Sequence, residues 1–584
     1  MRFVLAIVSF VIGVVLVGLG VGQRTVFAPP TSTVASVTTT TDAPVTVIPG
    51  RVLVANPGHQ RVRVSGAPGD DTVFAAYGKS SDVNAWVAKA RHQTIRYDAE
   101  GTTLRSRASG TEKTVPDPRN SDLWYGEYQG KELDFTVDLP EDTSLLIVAN
   151  GSDPAPSDIS VTWPRDTSTP LVGPLLTAGG FFVALGIVLY VWAILHQRRL
   201  RGPRRRSGGA RPPRARGSRR RAAAAGAQVP RKNRRGRRMV AVVPLAALTT
   251  LALAGCSSEY WPHGDGSATA TPSASATGAA APAAEPTAAT LPQIRRIVER
   301  VSAVAAEADA SRDEDRIADR FTGPALDLRT ANYRIRGSDS DVQAPPAIPS
   351  TGISVALPQQ TDSWPRTVFV VVSDASKSDV APQALTLVQA TPREDYKVAY
   401  DVSLEADAKV PAVAPVKLGA AQLSPDVKLL SLQPGQVAQA YSDILANDTA
   451  SEYADAFSAD GDDLRDKIGK AYKDSKAGSL PSTAKIEYSS EVPEDASIAL
   501  ATDQAGALVS TDLNELEKVT PTADGAEVNT EGAVKALSGV DKSTKGISAT
   551  YGVQLLFYVP PVGTKAKIEL LGFSQGLIAA SEVQ

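Results

Sequence analysis

The 584-residue chain has one cysteine, two methionines and four histidines. A single thiol excludes an intrachain disulfide. The histidines are His59, His92, His196 and His263, so everything after residue 263 lacks an imidazole. Together these scarcities remove thiol, zinc and Ser-His-Asp chemistry from the C-terminal half. A G-x-S-x-G elbow, a phosphate-cradling glycine loop and a D-x-D-x-D-G loop with a distal glutamate are also missing from the sequence, so no cofactor is expected. A net charge of −2 hides a strong asymmetry. Residues 198–238 hold 18 basic residues and no acidic one, whereas residues 257–584 hold 45 acidic against 28 basic residues.

Three apolar segments set the layout. Residues 3–21 form an uncharged run close to the roughly 20 residues that span a bilayer as a helix. The small-residue site Val26-Phe27-Ala28 is followed by Pro29, which disfavours signal cleavage, so the segment reads as an uncleaved anchor within 1–23. Residues 171–195 are uncharged and long enough to span with tilt. Tyr190 and Trp192 lie at their far end, where amphipathic rings favour the interface. The third run, within 239–256, is shorter and interrupted by Pro244. Arg/Lys excess marks the cytoplasmic side, which places the loop 196–238 inside and both large regions, 24–170 and 256–584, outside. The basic run lacks interleaved aromatics, so stacking on bases is not available and nucleic acid is not an expected partner; membrane lipid is.

Leu253-Ala254-Gly255-Cys256, after a basic stretch and a short apolar run, resembles a bacterial lipobox. The resemblance implies thioether lipidation of Cys256 and cleavage before it. An ordinary membrane helix with a chance cysteine is the bland alternative. Because such signals normally begin a chain, a fusion of a membrane protein with a separate lipoprotein is a competing reading.

Residues 24–44 are rich in Pro, Thr and Ser and read as a stalk, as do the Ala/Pro/Ser/Thr-rich residues 257–290. Between the first stalk and the second apolar segment, residues 45–168 alternate apolar and polar positions in short runs such as Leu133-Asp134-Phe135-Thr136-Val137, separated by turn clusters. That spacing predicts an all-β sandwich ectodomain, with one short helix near Asp82 to Ala90. Trp86, Trp124, Tyr125, Tyr128 and Trp163 are candidates for a glycan-stacking face; core packing is the alternative. His59 and His92 have no spaced partner, so no metal site is expected.

Residues 291–584 read as a duplicated α+β region, 291–433 and 434–584. In each half apolar residues at helical spacing (Ile294, Ile297, Val298, Val301 and Val304; then Val437, Tyr441, Ile444 and Leu445) precede strand-like runs. The element order resembles the cystatin-like, nuclear-transport-factor-like cone. In enzymes of that fold a carboxylate in the pocket acts as the acid-base group, which would make Glu307, Asp309, Asp443, Glu452 and Asp455 candidates for a hydrolase or isomerase. The whole layout resembles actinobacterial cell-envelope membrane proteins with an internal lipobox, a resemblance that implies no particular activity. The leading expectation is a non-enzymatic, multi-pass membrane protein presenting two extracytoplasmic domains to wall glycan or other envelope proteins.

Overall fold

A computed structural model describes residues 2–200 and 285–584, apart from 29, 70, 71, 166, 169, 375, 377–379 and 494–496. The third apolar segment, the lipobox Leu253, Ala254, Gly255 and Cys256, nearly all of the basic run and most of the second stalk lie outside the described residues. The chain divides into two compact units, residues 1–33 with 163–277 and residues 34–162 with 278–584.

In the first unit two helices, Arg2–Thr25 and Val172–Leu200, pack antiparallel. Their segments Phe3–Thr25 and Val172–Arg198 are long and apolar enough to cross a membrane. Glycines set their close approach: a Cβ on Gly13 would lie 2.7 Å from Val183 Cγ2, and one on Gly179 2.7 Å from Val17 Cγ2. Small residues at such a contact are how helices associate in hydrocarbon, where apolar burial gives no drive. Ser9 Oγ donates across the pair to Phe182 O at 2.8 Å. Ile7, Val11, Leu19, Phe181 and Val191 face outward. Gly179→Leu should therefore cost about 1–3 kcal/mol in helix pairing. Gly180→Leu should be close to neutral, because a Cβ there meets nothing within 4 Å. Unfolding of the two variants by denaturing detergent distinguishes the cases.

The N-terminal part of the second unit is rich in sheet. Its strands are β1 (Ser32–Thr38), β2 (Val45–Ile48), β3 (Gln60–Ser65), β4 (Val73–Lys79), β5 (His92–Asp98), β6 (Thr103–Ser109), β7 (Gly126–Gly130), β8 (Leu133–Val137), β9 (Thr143–Val148) and β10 (Asp158–Pro164). They form a four-stranded sheet, β1-β10-β3-β8, and a six-stranded sheet, β6-β5-β2-β9-β4-β7. β2 and β5 run parallel. On β3, Val62 and Val64 point inward while Arg61 and Arg63 clasp Asp134 at 2.6 and 2.7 Å outside. That is the period-two pattern read from the sequence. The stretch expected to be a stalk contains β1. The apolar run after Ile48 leaves the sheet as a helical turn, Gly50–Leu53, because a Cβ at Gly50 would sit 2.1 Å from Glu141 O and the chains meet backbone to backbone. The helix expected near Asp82 is Ser80–Val87.

The C-terminal part begins with the helix Leu291–Ser311, opened by a capping box between Thr290 and Gln293. Helices Glu314–Ala318 and Gly323–Ser338 follow, then strands β11 (Ile353–Pro358), β12 (Arg366–Val372), β13 (Gln383–Gln389) and β14 (Lys397–Leu404). The second half adds β15 (Gln422–Leu423), helices Val437–Asn447, Asp463–Ile468 and Lys470–Gly478, then β16 (Ala484–Glu491), β17 (Ile498–Ala501), β18 (Ala507–Pro521), β19 (Val528–Asn529), β20 (Lys542–Ser543), β21 (Ile547–Val559) and β22 (Glu569–Glu582). One sheet runs through both halves in the order β11-β12-β13-β14-β22-β21-β18-β17-β15, with β16 on β18.

The apolar helix faces read from the sequence are the buried ones. Ile294, Ile297, Val298 and Val301 pack on Val368, Val370, Leu385 and Val398, and Val437, Tyr441, Ile444 and Leu445 on Val509, Leu555 and Phe557. The opposite face of the sheet is a single core drawn from both halves, with Phe369, Val371, Tyr400 and Val402 against Leu500, Leu508, Leu556 and Leu571. A parallel bridge between Gln359 and Ala420 curls the first strands back toward the last. The boundary at 433/434 therefore does not separate two independent cores.

Candidate functional site

Trp86, Trp124 and Trp163 are fully buried. They are core residues, which corrects the expectation of a glycan-stacking face: each ring is covered, and no sugar can reach it. Trp86 and Trp124 meet edge to face at 6.1 Å, and Trp124 Nε1 donates to Pro118 O. Tyr125 is half-buried, and burial pushes its hydroxyl up to about 12. Glu307, Glu452 and Asp455 are exposed. Asp309 is committed to Arg329 at 2.7 Å and to the hydroxyl of Tyr333 at 2.6 Å. Asp443 accepts from Asn447 and Ser451. None of these five stands as a free buried base.

What the second unit does concentrate is a seam of arginines, all supplied by the C-terminal part and each reaching an acceptor in the N-terminal part. Asp122, with no exposed side-chain surface, accepts from Arg320 Nη1 at 2.5 Å, Arg300 Nη1 at 3.0 Å and the backbone N of Tyr396 at 2.9 Å. Arg320 also reaches Asp395 at 3.0 Å. Burial and the neighbouring Asp122 charge raise the Asp395 carboxyl, with the Arg320 charge opposing. Gln293 Nε2 donates to the carbonyls of Asp122 and Leu123, Arg296 to Trp124 O and Arg300 to Asn120 O.

A second centre lies at Arg366, which is fully buried. It donates to Asp82 Oδ1 at 2.7 Å and stacks 3.7 Å over the ring of Trp364. Trp364 itself packs against the N-terminal core of Val45, Phe74, Trp86 and Leu146. Arg393 completes the seam, donating to Trp86 O and to Glu112, each at 2.9 Å. Charge-assisted hydrogen bonds of this kind are about twice as strong as neutral ones, and burial makes their loss costly. The available sequence signal was the polar stripe Gln293, Arg296, Arg300 beside the apolar face of its helix. Nothing in the turn that carries Asp122 marked it as buried.

A second feature is a cleft of about 660 Å³ where the halves of the large sheet meet. β14 and β22 pair through only two residue pairs, Ser403 with Phe573 and Leu404 with Gly572. Beyond these the strands part. Side chains replace the missing strand partner: Ser403 N donates to Ser574 Oγ at 3.2 Å and Asp401 N to Gln554 Oε1 at 2.8 Å. Arg329, 3% exposed, holds Asp309 and Asp401 from the helix above. Its Nε and the Oδ1 of Asn332, one turn on, are buried without a hydrogen-bond partner among the described residues. Each such orphan costs about 1–3 kcal/mol.

Glu405 lines the same cleft. Burial, then the charges of Asp462 and Asp463, push its carboxyl up to about 7. Asp512, behind Tyr400, is pushed up to about 6 by burial. Both hold protons in the folded state that they release near the ordinary carboxylate range when unfolded. Stability should therefore fall as pH rises from about 4.5 to 7 and level off above. Glu405→Gln together with Asp512→Asn should flatten that slope, read as the denaturation midpoint against pH.

The described residues define a mixed α/β protein with two membrane-length helices, a sheet-rich N-terminal region and a β-rich C-terminal domain. The chain belongs to the family of DUF8094, a domain of unknown function, which matches residues 285–582. No curated protein and no solved structure matches the chain.

Proposed function

We propose that the protein is a non-enzymatic, membrane-tethered envelope protein. Its N-terminal β-region and its family domain act as one extracytoplasmic body, binding wall polymers or protein partners. One observation carries the reading: residues 34–162 and 285–584 share a buried seam, with Asp122 between Arg300 and Arg320 and Asp82 on Arg366. Parts that share a buried core stand on the same face of a membrane, so the intervening chain crosses an even number of times. The helix Val172–Leu200 supplies one crossing. The apolar run within 239–256 supplies the return, and the arginine-rich loop between the two sits inside by the positive-inside rule. Lipidation of Cys256, as the lipobox resemblance implies, would anchor the family domain on the outer face. In keeping with an actinobacterial envelope protein, the two halves of that domain read as copies of one helix-and-meander unit of the cystatin-like kind.

Reporter tags beside Asp134 and Lys518 test the topology. Both should be labelled by a membrane-impermeant reagent in intact cells, and labelling of only one would overturn the reading.

A further inference from the structure

The large sheet forks along β18. On one edge of that strand β17 pairs with Ala507–Ser510 and β16 with Asn514–Glu515 onward to Pro521. Thr511, Asp512 and Leu513, between the two, find a strand partner only in β21 on the other edge. At this fork lies a cavity of about 260 Å³, with Pro324, Asp327 and Leu328 of the helix Gly323–Ser338 on one side. Asp512 is 6% exposed. Its Oδ1 accepts from the Tyr400 hydroxyl at 3.2 Å. Its Oδ2 takes no hydrogen bond among the described residues and, unlike the sealed Arg329 Nε and Asn332 Oδ1, stays open to the cavity. A buried carboxylate normally has a charge partner. Here no lysine, arginine or histidine among the described residues lines the cavity, and the second charge present is another carboxylate, Asp327, exposed at the rim. Arg334, whose charge also acts on Asp327, is already held by Glu314 at 2.6 Å. Gln554 is spent on Pro324 O and Asp401 N, whereas the Asn514 side chain beside Asp512 has no hydrogen bond.

The open valences are therefore acceptors, from Asp512, Asp327 and Asn514, and they ask for a cation that donates. The walls decide which kind. Pro324, Leu328, Pro493 and Ile578 are apolar. Calcium takes six to eight oxygens, which two carboxylates and one amide among such walls do not supply. An ammonium needs only three acceptors, and its alkyl stem lies well against apolar walls. The volume falls just short of the range for whole small-molecule sites, so it suits one end of a larger molecule. We propose that this cavity binds the ammonium end of a primary alkylamine, with Asp512 as the charge partner, Asn514 and Asp327 as further acceptors, and the stem against Leu328 and Ile578. This goes beyond the function proposed above and holds whichever side of the membrane the domain occupies.

The test uses the full chain in nanodiscs of zwitterionic lipid, because anionic headgroups would themselves gather amines. n-Butylamine hydrochloride, n-butanol and calcium chloride are titrated at neutral pH by ligand-observed NMR and calorimetry. Butylammonium should bind saturably and about tenfold or more tighter than butanol, which has the same stem without the charge. Asp512→Asn still offers Tyr400 an oxygen, and it should remove that preference. Asp327→Asn, at an exposed helix position where folding is not at stake, should weaken butylammonium by a smaller factor. A cooperative thermal transition shows that each variant folds. No saturable binding of butylammonium up to about 20 mM overturns the proposal. So does an affinity that neither substitution moves. Calcium binding that Asp512→Asn abolishes, with butylammonium ignored, overturns it as well and would assign the cavity to a metal ion.

Discussion

Asp122→Ala should loosen the second unit more than any other single substitution at the seam. The carboxylate is buried and takes hydrogen bonds from Arg320, Arg300 and the Tyr396 backbone. Removing it leaves Arg320, 7% exposed, without its shortest partner, and two guanidinium charges face each other across the gap. Breaking a buried ion pair from one side costs about 3–5 kcal/mol, because the stranded charge keeps its desolvation penalty. Asp122→Asn should cost less, since an amide oxygen still accepts from Tyr396 N. At the rim, Lys79 and Asp362 meet at 2.6 Å with half of the Asp362 side chain in solvent. Asp362→Ala should stay within about 1 kcal/mol and its effect should fade in salt, whereas that of Asp122→Ala should not. Urea unfolding at low and high ionic strength, followed by limited proteolysis at 34–162, reads both contrasts. Equal losses for Asp122→Ala and Asp362→Ala would mean that the seam is not organised around Asp122.

How much of this was legible in the sequence follows from which interactions are local. The helix faces of 294–301 and 437–445 were readable because 3.6-residue periodicity is written into adjacent residues. The two membrane-length helices were readable because their lack of charge is a property of one segment. The alternation of β3 and β8 was readable for the same reason. The partnership of Asp122 with Arg320 is not local: it joins residues 198 positions apart, and either residue alone looks like a solvated surface charge. The tryptophans could be read either as a stacking face or as core, and Trp86 and Trp124 lie in the core that Trp364 helps to close. That closing residue comes from the C-terminal part, so the cover could not be seen from the N-terminal sequence. The single sheet across 291–584 escaped for a related reason. Element order shows two similar halves, but the joining of β14 to β22 rests on two residue pairs at the ends of both.

The same seam decides what happens if the chain is cut between its two parts, whether by lipoprotein processing before Cys256 or by an engineered protease site within 201–284. The covalent link contributes only an effective concentration. The seam contributes buried pairs at Asp122 and Asp82, the Arg393 contacts to Trp86 O and Glu112, and Trp364 seated against the N-terminal core. The two fragments should therefore stay together after complete cleavage, co-eluting in size exclusion and co-precipitating through a tag on either one. Asp122→Ala combined with Arg366→Ala should release them. Each loss is worth about 3–5 kcal/mol, or roughly two to four orders of magnitude in affinity, and the sites share no direct contact that would make the losses overlap. Uncut, the doubly substituted chain should keep both parts associated more than the cut one does, because the tether restores local concentration. Dissociation of the cut wild-type fragments at micromolar concentration would show that the arginine seam is held by the chain connection rather than by its own contacts. It would also return the membrane-hairpin protein and the family domain to the status of two independent products.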